Sequence, residues 1–307
     1  MRVLFISGSG GPDYQCDMLL HGLRSLLGAD AVDVNRLDYM YSATFDQDPE
    51  KKAKLYGRGF TLYGLLPDDS SVDRHDIENK ITSRYFDLII YGSIHRCRHY
   101  LNDVLATYDK ADIVFVDGED QSDILYWPLF GRGTYYKREF MPSHYPFAQP
   151  ISFAIPEEKF CTESTKKREI AYIDPRDRGT YIYNTEADYY GDYQQSLFAY
   201  TMKKAGWDCL RHYEIMANHC VPIFVDLNMC PIGTMFTFPR HEILEINVYL
   251  ETRGIDYFST KEGLECWLTY ANTIVNFAKK HLTTKALATR IISDWQQRRG
   301  ITPLIRS

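Results

Sequence analysis

Short apolar segments recur along the chain, and each is followed by a polar or glycine-containing loop. The first, residues 2–7 (RVLFIS), runs into the glycine-rich stretch 8–11. Residues 17–27 then place leucines on one face of a predicted helix, which Gly28 ends. A strand, a tight loop and an amphipathic helix in this order are typical of the first unit of a parallel sheet. The chain is therefore expected to be an α/β protein.

The same alternation extends along the sequence but is interrupted twice. Residues 40–80 are predicted to be an inserted or extended loop region that carries a helix near 76–82. Between residues 140 and 167 the chain is rich in proline and lacks periodicity, which is typical of a crossing between domains. Further strands are predicted at 31–35, 86–91, 112–116, 169–173 and 221–225, and helices at 76–82, at 191–203 and from 261 onward. The pattern predicts two Rossmann-like domains that face each other across a cleft, residues 1–150 and 151–307, with the last helix as a candidate to cross back.

Composition argues against several classes of protein. The formal net charge of -6 argues against a broad nucleic-acid-binding surface. The seven cysteines contain no CxxC pair, so neither a disulfide framework nor a zinc site is indicated. No apolar run approaches the ~20 residues of a membrane span, and the N-terminus is typical of a strand, not of a signal peptide. We expect a cytoplasmic protein.

The C-terminal stretch 279–299 predicts a basic amphipathic helix. Such a helix could rest on an anionic membrane surface, as a peripheral contact. Packing back across the domain interface is the favoured interpretation.

Loops that follow predicted strands are candidate sites, because ligands of open parallel sheets bind outside the carboxyl ends of the strands. These loops span 8–11, 92–99, 117–123, 174–179 and 226–233. The glycines of the first loop, Gly10 among them, would let the backbone approach a ligand, or would simply make a tight turn. Their spacing is not the complete GxGxxG of a dinucleotide site, so no dinucleotide cofactor is expected.

The segment 208–226 combines a predicted helix, a turn and a buried strand. The helix N-terminus would direct free N–H groups and the positive end of the helix dipole toward an anion. Arg211 would add a guanidinium that can donate two hydrogen bonds to phosphate oxygens. Glu214, one turn later, would accept hydrogen bonds from ribose hydroxyls. The alternative interpretation is a surface Arg–Glu pair on one helix.

The stretch RHYEIMANHCVPIFVD (residues 211–226) resembles the donor-site segment of nucleotide-sugar glycosyltransferases of the GT-B fold, particularly the exostosin-like group. Four residues match that pattern: Arg211, Glu214, Pro222 and Asp226. His219 stands where the pattern has glycine, and Gly206 stands where many retaining members have the first acid of a spaced pair. The chain is also similar to bacterial and viral glycosyltransferase-like proteins at residues 13–28, 57–60, 117–120 and 135–139.

This resemblance implies an enzyme that moves a sugar from a nucleotide-diphosphate sugar to an acceptor hydroxyl, without a metal ion or other resident cofactor. The C-terminal domain would hold the donor, and the N-terminal domain would hold an acceptor of unknown class. Donor binding is assigned to Gly10, Arg176, Arg178, Lys203, Arg211, Glu214 and Asp226. The candidates for the base that removes the acceptor proton are His95, Asp117 and Glu119.

Alternatives are left open at two points. Asp117 and Glu119 could instead hold Mg²⁺ or Mn²⁺ on the donor diphosphate, because carboxylate oxygens suit these ions. The alternative functions are a nucleotide-sugar-binding protein without turnover and a related two-domain epimerase or phosphorylase.

Overall fold

The computed structural model describes residues 1–8, 11–47 and 49–301, and of residues 49, 51, 53 and 56 only the backbone. A six-stranded sheet has the order β2-β1-β3-β4-β5-β6, and a three-stranded sheet has the order β7-β8-β9. The strands are β1 (Val3–Ile6), β2 (Ala31–Asp33), β3 (Leu88–Tyr91), β4 (Ile113–Asp117), β5 (Thr134–Lys137), β6 (Gln149–Pro150), β7 (Arg168–Ile170), β8 (Ser196–Thr201) and β9 (Val221–Phe224). The helices are α1 (Tyr14–Leu27), α2 (Ser42–Phe45), α3 (Pro49–Lys54), α4 (Ile77–Thr82), α5 (Leu101–Thr107), α6 (Glu186–Gln194), α7 (Leu210–Ala217), α8 (Arg240–Arg253), α9 (Lys261–His281) and α10 (Thr284–Arg299).

The central strands of the first sheet lie between two hydrophobic cores. In β1, Val3 and Phe5 belong to one core, whereas Leu4 and Ile6 belong to the other. Successive side chains of a strand alternate between its faces, so a strand that is buried on both faces is continuously apolar. All strand pairs in both sheets are parallel. The predicted α/β class with parallel sheets is therefore confirmed.

One of these cores is continuous between the two sheets. It includes Phe5 of the first sheet, Phe198 of the second sheet and Ile291 of the last helix. Apolar burial of this kind is the main favourable term in folding, and here it is shared by both sheets.

The last helix, α10, packs against α1 beside the first sheet. The imidazole Nδ1 of His21 and the hydroxyl of Thr284 are 2.8 Å apart, and the Trp295 indole donates to Asp112 at 3.0 Å. The apolar face of this basic helix is therefore covered by protein. Within the described ranges, none of the helices has both the length and the apolar character that crossing a bilayer requires.

Close packing of α1 on α10 requires a glycine at position 22. A Cβ atom there would collide with the backbone of Thr284. We therefore expect Gly22→Ala to lower the free energy of unfolding by about 1–3 kcal/mol, the usual cost of overpacking. Gly191 in α6 is the matched control, because its Cβ would meet only the Gln195 side chain, at 3.8 Å. Gly191→Ala should stabilise the protein by about 0.5–1 kcal/mol; equal effects of both variants in urea unfolding would contradict this expectation.

The predicted helix at 191–203 is wrong. Helix α6 ends at Gln194, and the sequence SLFAYT (196–201) forms β8, which is almost completely buried. A short apolar run that is buried on both faces has no period by which a strand can be told from a helix. Strands β5 and β6 and helix α8 were likewise not predicted.

Candidate functional site

A cavity of about 650 Å³ lies between the two sheets. Both halves of the chain line it, largely with segments that follow the carboxyl ends of strands, such as 118–120 after β4 and 204–206 after β8. The other lining residues are Asp13, Tyr14, Gln15, Gly57, Arg58, Phe60, Arg96, Arg138, Phe153, Ile173, Tyr181, Tyr183, Tyr189, Asp208, Cys209, Leu210, Arg211 and Glu214. Open parallel sheets bind ligands at this position, and the volume suits a small molecule.

Helix α7 carries Arg211, which lines the cavity. Its guanidinium carbon lies 5.8 Å from the centre of the Tyr181 ring, and its Nη1 is buried without a hydrogen-bond partner among the described residues. A buried donor with no partner costs free energy. Arg211 therefore retains unused N–H groups beside the cavity, and these suit an anionic ligand.

Glu214, one turn further along α7, is buried and accepts hydrogen bonds at both carboxylate oxygens. The Thr61 hydroxyl donates to Oε1 at 2.5 Å, and the Tyr189 hydroxyl donates to Oε2 at 2.6 Å. Burial raises the pKa of Glu214, and these two donors with Arg211 offset only part of that rise. Since each carboxylate oxygen has two lone pairs, Glu214 keeps the capacity to accept further hydrogen bonds.

Three cationic side chains of the cavity form no salt bridge with a carboxylate in the described part of the chain: Arg58, Lys204 and Arg211. The Lys204 ammonium donates only to the carbonyl oxygen of Pro175, at 2.6 Å. Burial lowers the pKa of Lys204, and the charges of Arg211 and Arg178 lower it further. Like charges that line one cavity create a positive potential there, which favours an anion.

Arg138 is buried at the cavity wall and bridges the two halves of the chain. Its Nη1 donates to the carbonyl oxygen of Asp208 at 2.6 Å and to the carboxylate of Glu139 at 3.0 Å. Its Nη2 donates to Asp120, and its Nε donates to the carbonyl oxygen of Gly118 at 2.9 Å. All three nitrogens are occupied by protein acceptors, so the main role of this side chain is structural.

Gly206 lies against this bridge. A Cβ atom at position 206 would come within 2.5 Å of a carboxylate oxygen of Glu139 and within 3.0 Å of Nη1 of Arg138. A side chain at position 206 would therefore require Glu139 or Arg138 to shift, and the glycine leaves their contact undisturbed.

His219, in the turn between α7 and β9, has a φ of 52°. Glycine is favoured in this left-handed region because other residues meet a steric cost there. The imidazole of His219 is held by hydrogen bonds to Ser164 and Asn272, both 3.0 Å long. The backbone therefore keeps a conformation that glycine favours, and side-chain contacts offset the cost.

Of the three candidate bases, only Glu119 lines the cavity. Asp117 is fully buried and accepts hydrogen bonds from Lys137 at 2.8 Å and from Tyr135 at 2.7 Å, while Nε2 of His95 lies 3.1 Å from it. Burial alone would raise the pKa of Asp117, but the contacts with His95, Lys137 and Tyr135 together lower it. The Glu119 amide donates to Asp117 at 3.3 Å, so this buried network supports the loop that carries Glu119.

Four of the predicted donor-binding residues lie outside the lining of the cavity: Arg176, Arg178, Lys203 and Asp226. Arg176 is engaged by the Asp174 carboxylate through its Nε, at 2.9 and 3.0 Å. Lys204, and not Lys203, reaches the cavity. Gly10 lies outside the described residues.

Sequence reasoning missed Asp13, Arg58, Arg138 and Lys204. Asp13 lines the cavity, accepts from the Cys16 amide at 3.2 Å as the N-cap of α1, and pairs with Arg96 at 3.2 Å. Its place, before the first helix and after the first strand, was a usable signal. Arg58 and Arg138 lie in two segments that carry the resemblance, 57–60 and 135–139. Their roles, like that of Lys204, were missed because they depend on contacts between distant parts of the chain.

Among the described residues, no three His, Cys, Asp or Glu side chains lie close enough together to hold a metal ion. The alternative pair of metal ligands, Asp117 and Glu119, is divided between the buried network and the cavity.

No family model matches the sequence, and no curated protein matches it. Among solved structures, the chain is similar to an α-glucosyltransferase in complex with UDP and a 13-mer DNA containing an HMU base, with 11% sequence identity and a TM-score of 0.48. The similarity covers 96% of this chain and 99% of that chain.

Proposed function

We propose that this protein is a glycosyltransferase, which moves a sugar from a nucleotide-diphosphate sugar to an acceptor hydroxyl. One observation carries the proposal: three cationic side chains that form no salt bridge with a carboxylate among the described residues face a cavity at the carboxyl ends of two parallel sheets. The cavity also has an aromatic wall, formed by Phe60, Tyr181, Tyr183 and Tyr189. A diphosphate needs the cations, and a nucleoside base can stack on the rings.

The proposed roles follow from the position of each side chain. Arg211 and Lys204 bind the donor diphosphate, and Glu214 accepts hydrogen bonds from the ribose hydroxyls at its remaining lone pairs. Arg176, Arg178, Lys203 and Asp226 do not line the cavity, so no direct contact with the donor is proposed for them. The cations stabilise the diphosphate without a resident metal ion.

In the transfer step, the acceptor oxygen forms a bond to the anomeric carbon of the sugar. The bond from that carbon to the diphosphate oxygen breaks, and its electron pair leaves with the diphosphate, which Arg211 and Lys204 stabilise. The acceptor proton passes to Glu119, the one predicted base that lines the cavity. The loop that holds Glu119 belongs to the first sheet, so the acceptor would enter from that side.

Thermal unfolding against ligands tests the donor site. The panel contains UDP, GDP and their sugars, each with EDTA or with Mn²⁺. A ligand at 100 times its dissociation constant adds about 2.7 kcal/mol of stability, enough to move the midpoint visibly. We expect one nucleoside diphosphate to stabilise the wild type in EDTA and Arg211→Gln to lose that shift. Arg132→Gln is the matched control, because it removes the same charge from an exposed position outside the lining of the cavity.

Other outcomes contradict the proposal or redirect it. A shift that requires Mn²⁺ would favour the Asp117 and Glu119 metal site, and the absence of any shift would overturn donor binding. If a donor binds, incubation with donor alone separates the remaining functions: an epimerase changes the sugar without an acceptor, a phosphorylase requires phosphate, and a binding protein yields no product.

A further inference from the structure

The loop at residues 57–61 reaches from the first half of the chain to α6 and α7 of the second half. Arg58 and Phe60 line the cavity, and Phe60 packs on the Tyr189 ring with centroids 5.9 Å apart. This loop thus contributes side chains to the same space as Arg211 and Lys204, which come from the other half of the chain.

The backbone of this loop is strained. Gly57, Arg58 and Gly59 have φ values of 53°, 57° and 76°, and Thr61 has a φ of 73°. Positive φ is costly for Arg58 and still more so for Thr61, which is β-branched. Such conformations persist only where surrounding contacts enforce them, and they cluster at functional sites.

Contacts across the two halves enforce the conformation of Thr61. Its amide donates to Oε1 of Glu186 at 2.5 Å, and its hydroxyl donates to Glu214 at 2.5 Å and lies 2.8 Å from the Tyr190 hydroxyl. Lys159 holds the Glu186 carboxylate in turn, at 2.8 Å from each oxygen. Thr61 is therefore fixed by the same carboxylate that lies in the proposed donor site.

The contacts of Thr61 hold the loop in a position that places Arg58 at the cavity. The Arg58 side chain is exposed, lines the cavity and forms no salt bridge with a carboxylate among the residues described. The strained loop therefore holds a guanidinium without a salt bridge in a cavity that contains two other such cations. The loop adds a third positive charge to an anion site whose other two charges come from the opposite half.

We infer that Arg58 is a further binding residue for the donor diphosphate and that Thr61 positions it through Glu214. This inference rests on the proposed donor site and extends it to a contact from the first half of the chain. Glu214 then has two roles, because it accepts from the nucleotide and anchors the loop that completes the phosphate site.

Binding affinities measured by isothermal titration calorimetry test the role of Arg58. The probes are UDP, UMP and uridine, the matching guanosine series, and inorganic pyrophosphate. Arg58→Gln should weaken binding of the diphosphate and of pyrophosphate about tenfold or more, the usual contribution of a charged hydrogen bond, and leave the nucleoside unchanged. Arg132→Gln removes the same charge from an exposed site outside the cavity and should change none of these affinities.

A double-mutant cycle tests the positioning role of Thr61. Thr61→Val removes the hydroxyl but keeps the β-branched shape, and Thr61→Ser keeps the hydroxyl. Thr61→Val should weaken diphosphate binding in the wild-type background and have little further effect in Arg58→Gln, whereas Thr61→Ser should restore binding. A purely structural role would produce equal losses of diphosphate affinity in both backgrounds.

The outcomes separate this inference from the proposed function. If UDP or GDP binds and Arg58→Gln changes neither diphosphate nor pyrophosphate affinity, the inference is overturned and the donor site stands. If no nucleotide binds but pyrophosphate binds through Arg58, the anion site stands and the donor proposal fails. If neither nucleotide nor pyrophosphate binds, both are overturned.

Discussion

Replacing Arg138 with methionine should lower the free energy of unfolding by about 3–5 kcal/mol, the usual cost of removing one partner from a buried ion pair. Arg138 is 1% exposed and donates hydrogen bonds to the carboxylates of Glu139 and Asp120 and to the backbone carbonyl oxygen of Asp208. Without it, three acidic side chains lose a shared cation. Urea unfolding at pH 7, with the midpoint and the slope both fitted, measures the loss.

The pH dependence of this loss identifies its cause. Burial raises the pKa of Asp208 to about 6, and the charge of Arg138 is the largest influence that opposes the rise. Since Arg138→Met removes that influence, Asp208 should bind its proton more tightly, and the loss of stability should shrink from pH 8 to pH 5. Arg132→Met, at an exposed position, is the control and should change the stability by less than about 0.5 kcal/mol. A loss in Arg138→Met that does not depend on pH would contradict the electrostatic explanation.

The segment from α7 to β9 was predictable because its signals are local. The apolar strand from Val221, the preceding turn and the helix that carries Arg211 and Glu214 all lie within residues 210–224, and the structure has them in that order. The sequence shows that His219 stands where the resembling pattern has glycine, but it gives no reason for the difference. Its positive φ and its two side-chain hydrogen bonds supply the explanation.

The remainder of the site was not predictable from local patterns. Arg58 follows a stretch without periodicity, and its approach to the cavity depends on Thr61 reaching Glu214, which is 153 positions away. Arg138 likewise reaches Asp208 only in the folded chain. Sequence patterns report which face of an element is apolar, but they do not report which distant elements meet. The candidate bases show the same limit, because Asp117 and Glu119 are two residues apart and only the second lines the cavity.

Asp117 and its partners connect stability to the proposed chemistry. Asp117 and Lys137 are both fully buried, and both contact the loop that carries Glu119. Asp117 accepts a hydrogen bond from the Glu119 amide at 3.3 Å, and Lys137 donates one to the Glu119 carbonyl oxygen at 3.5 Å. The position of the proposed base therefore depends on a buried ion pair that does not itself line the cavity.

Lys137→Met should lower the free energy of unfolding by about 3–5 kcal/mol at pH 8, because it leaves the Asp117 carboxylate buried without its cation. In the wild type the pKa of Asp117 lies below its ordinary value, so its contribution is present above the unfolded pKa of about 3.9 and is lost as the pH falls through the folded pKa. Without Lys137, only the contacts with His95 and Tyr135 oppose the effect of burial, and we expect burial to prevail. The pKa of Asp117 should then rise above its unfolded value, so the variant should gain stability as the pH falls from 8 to 5. Lys110→Met, at an exposed position, should show neither effect. If Lys137→Met is equally stable at pH 8 and at pH 5, the predicted gain of stability at low pH is contradicted. If the rate of sugar transfer falls by more than the fraction of unfolded protein explains, the ion pair also positions Glu119.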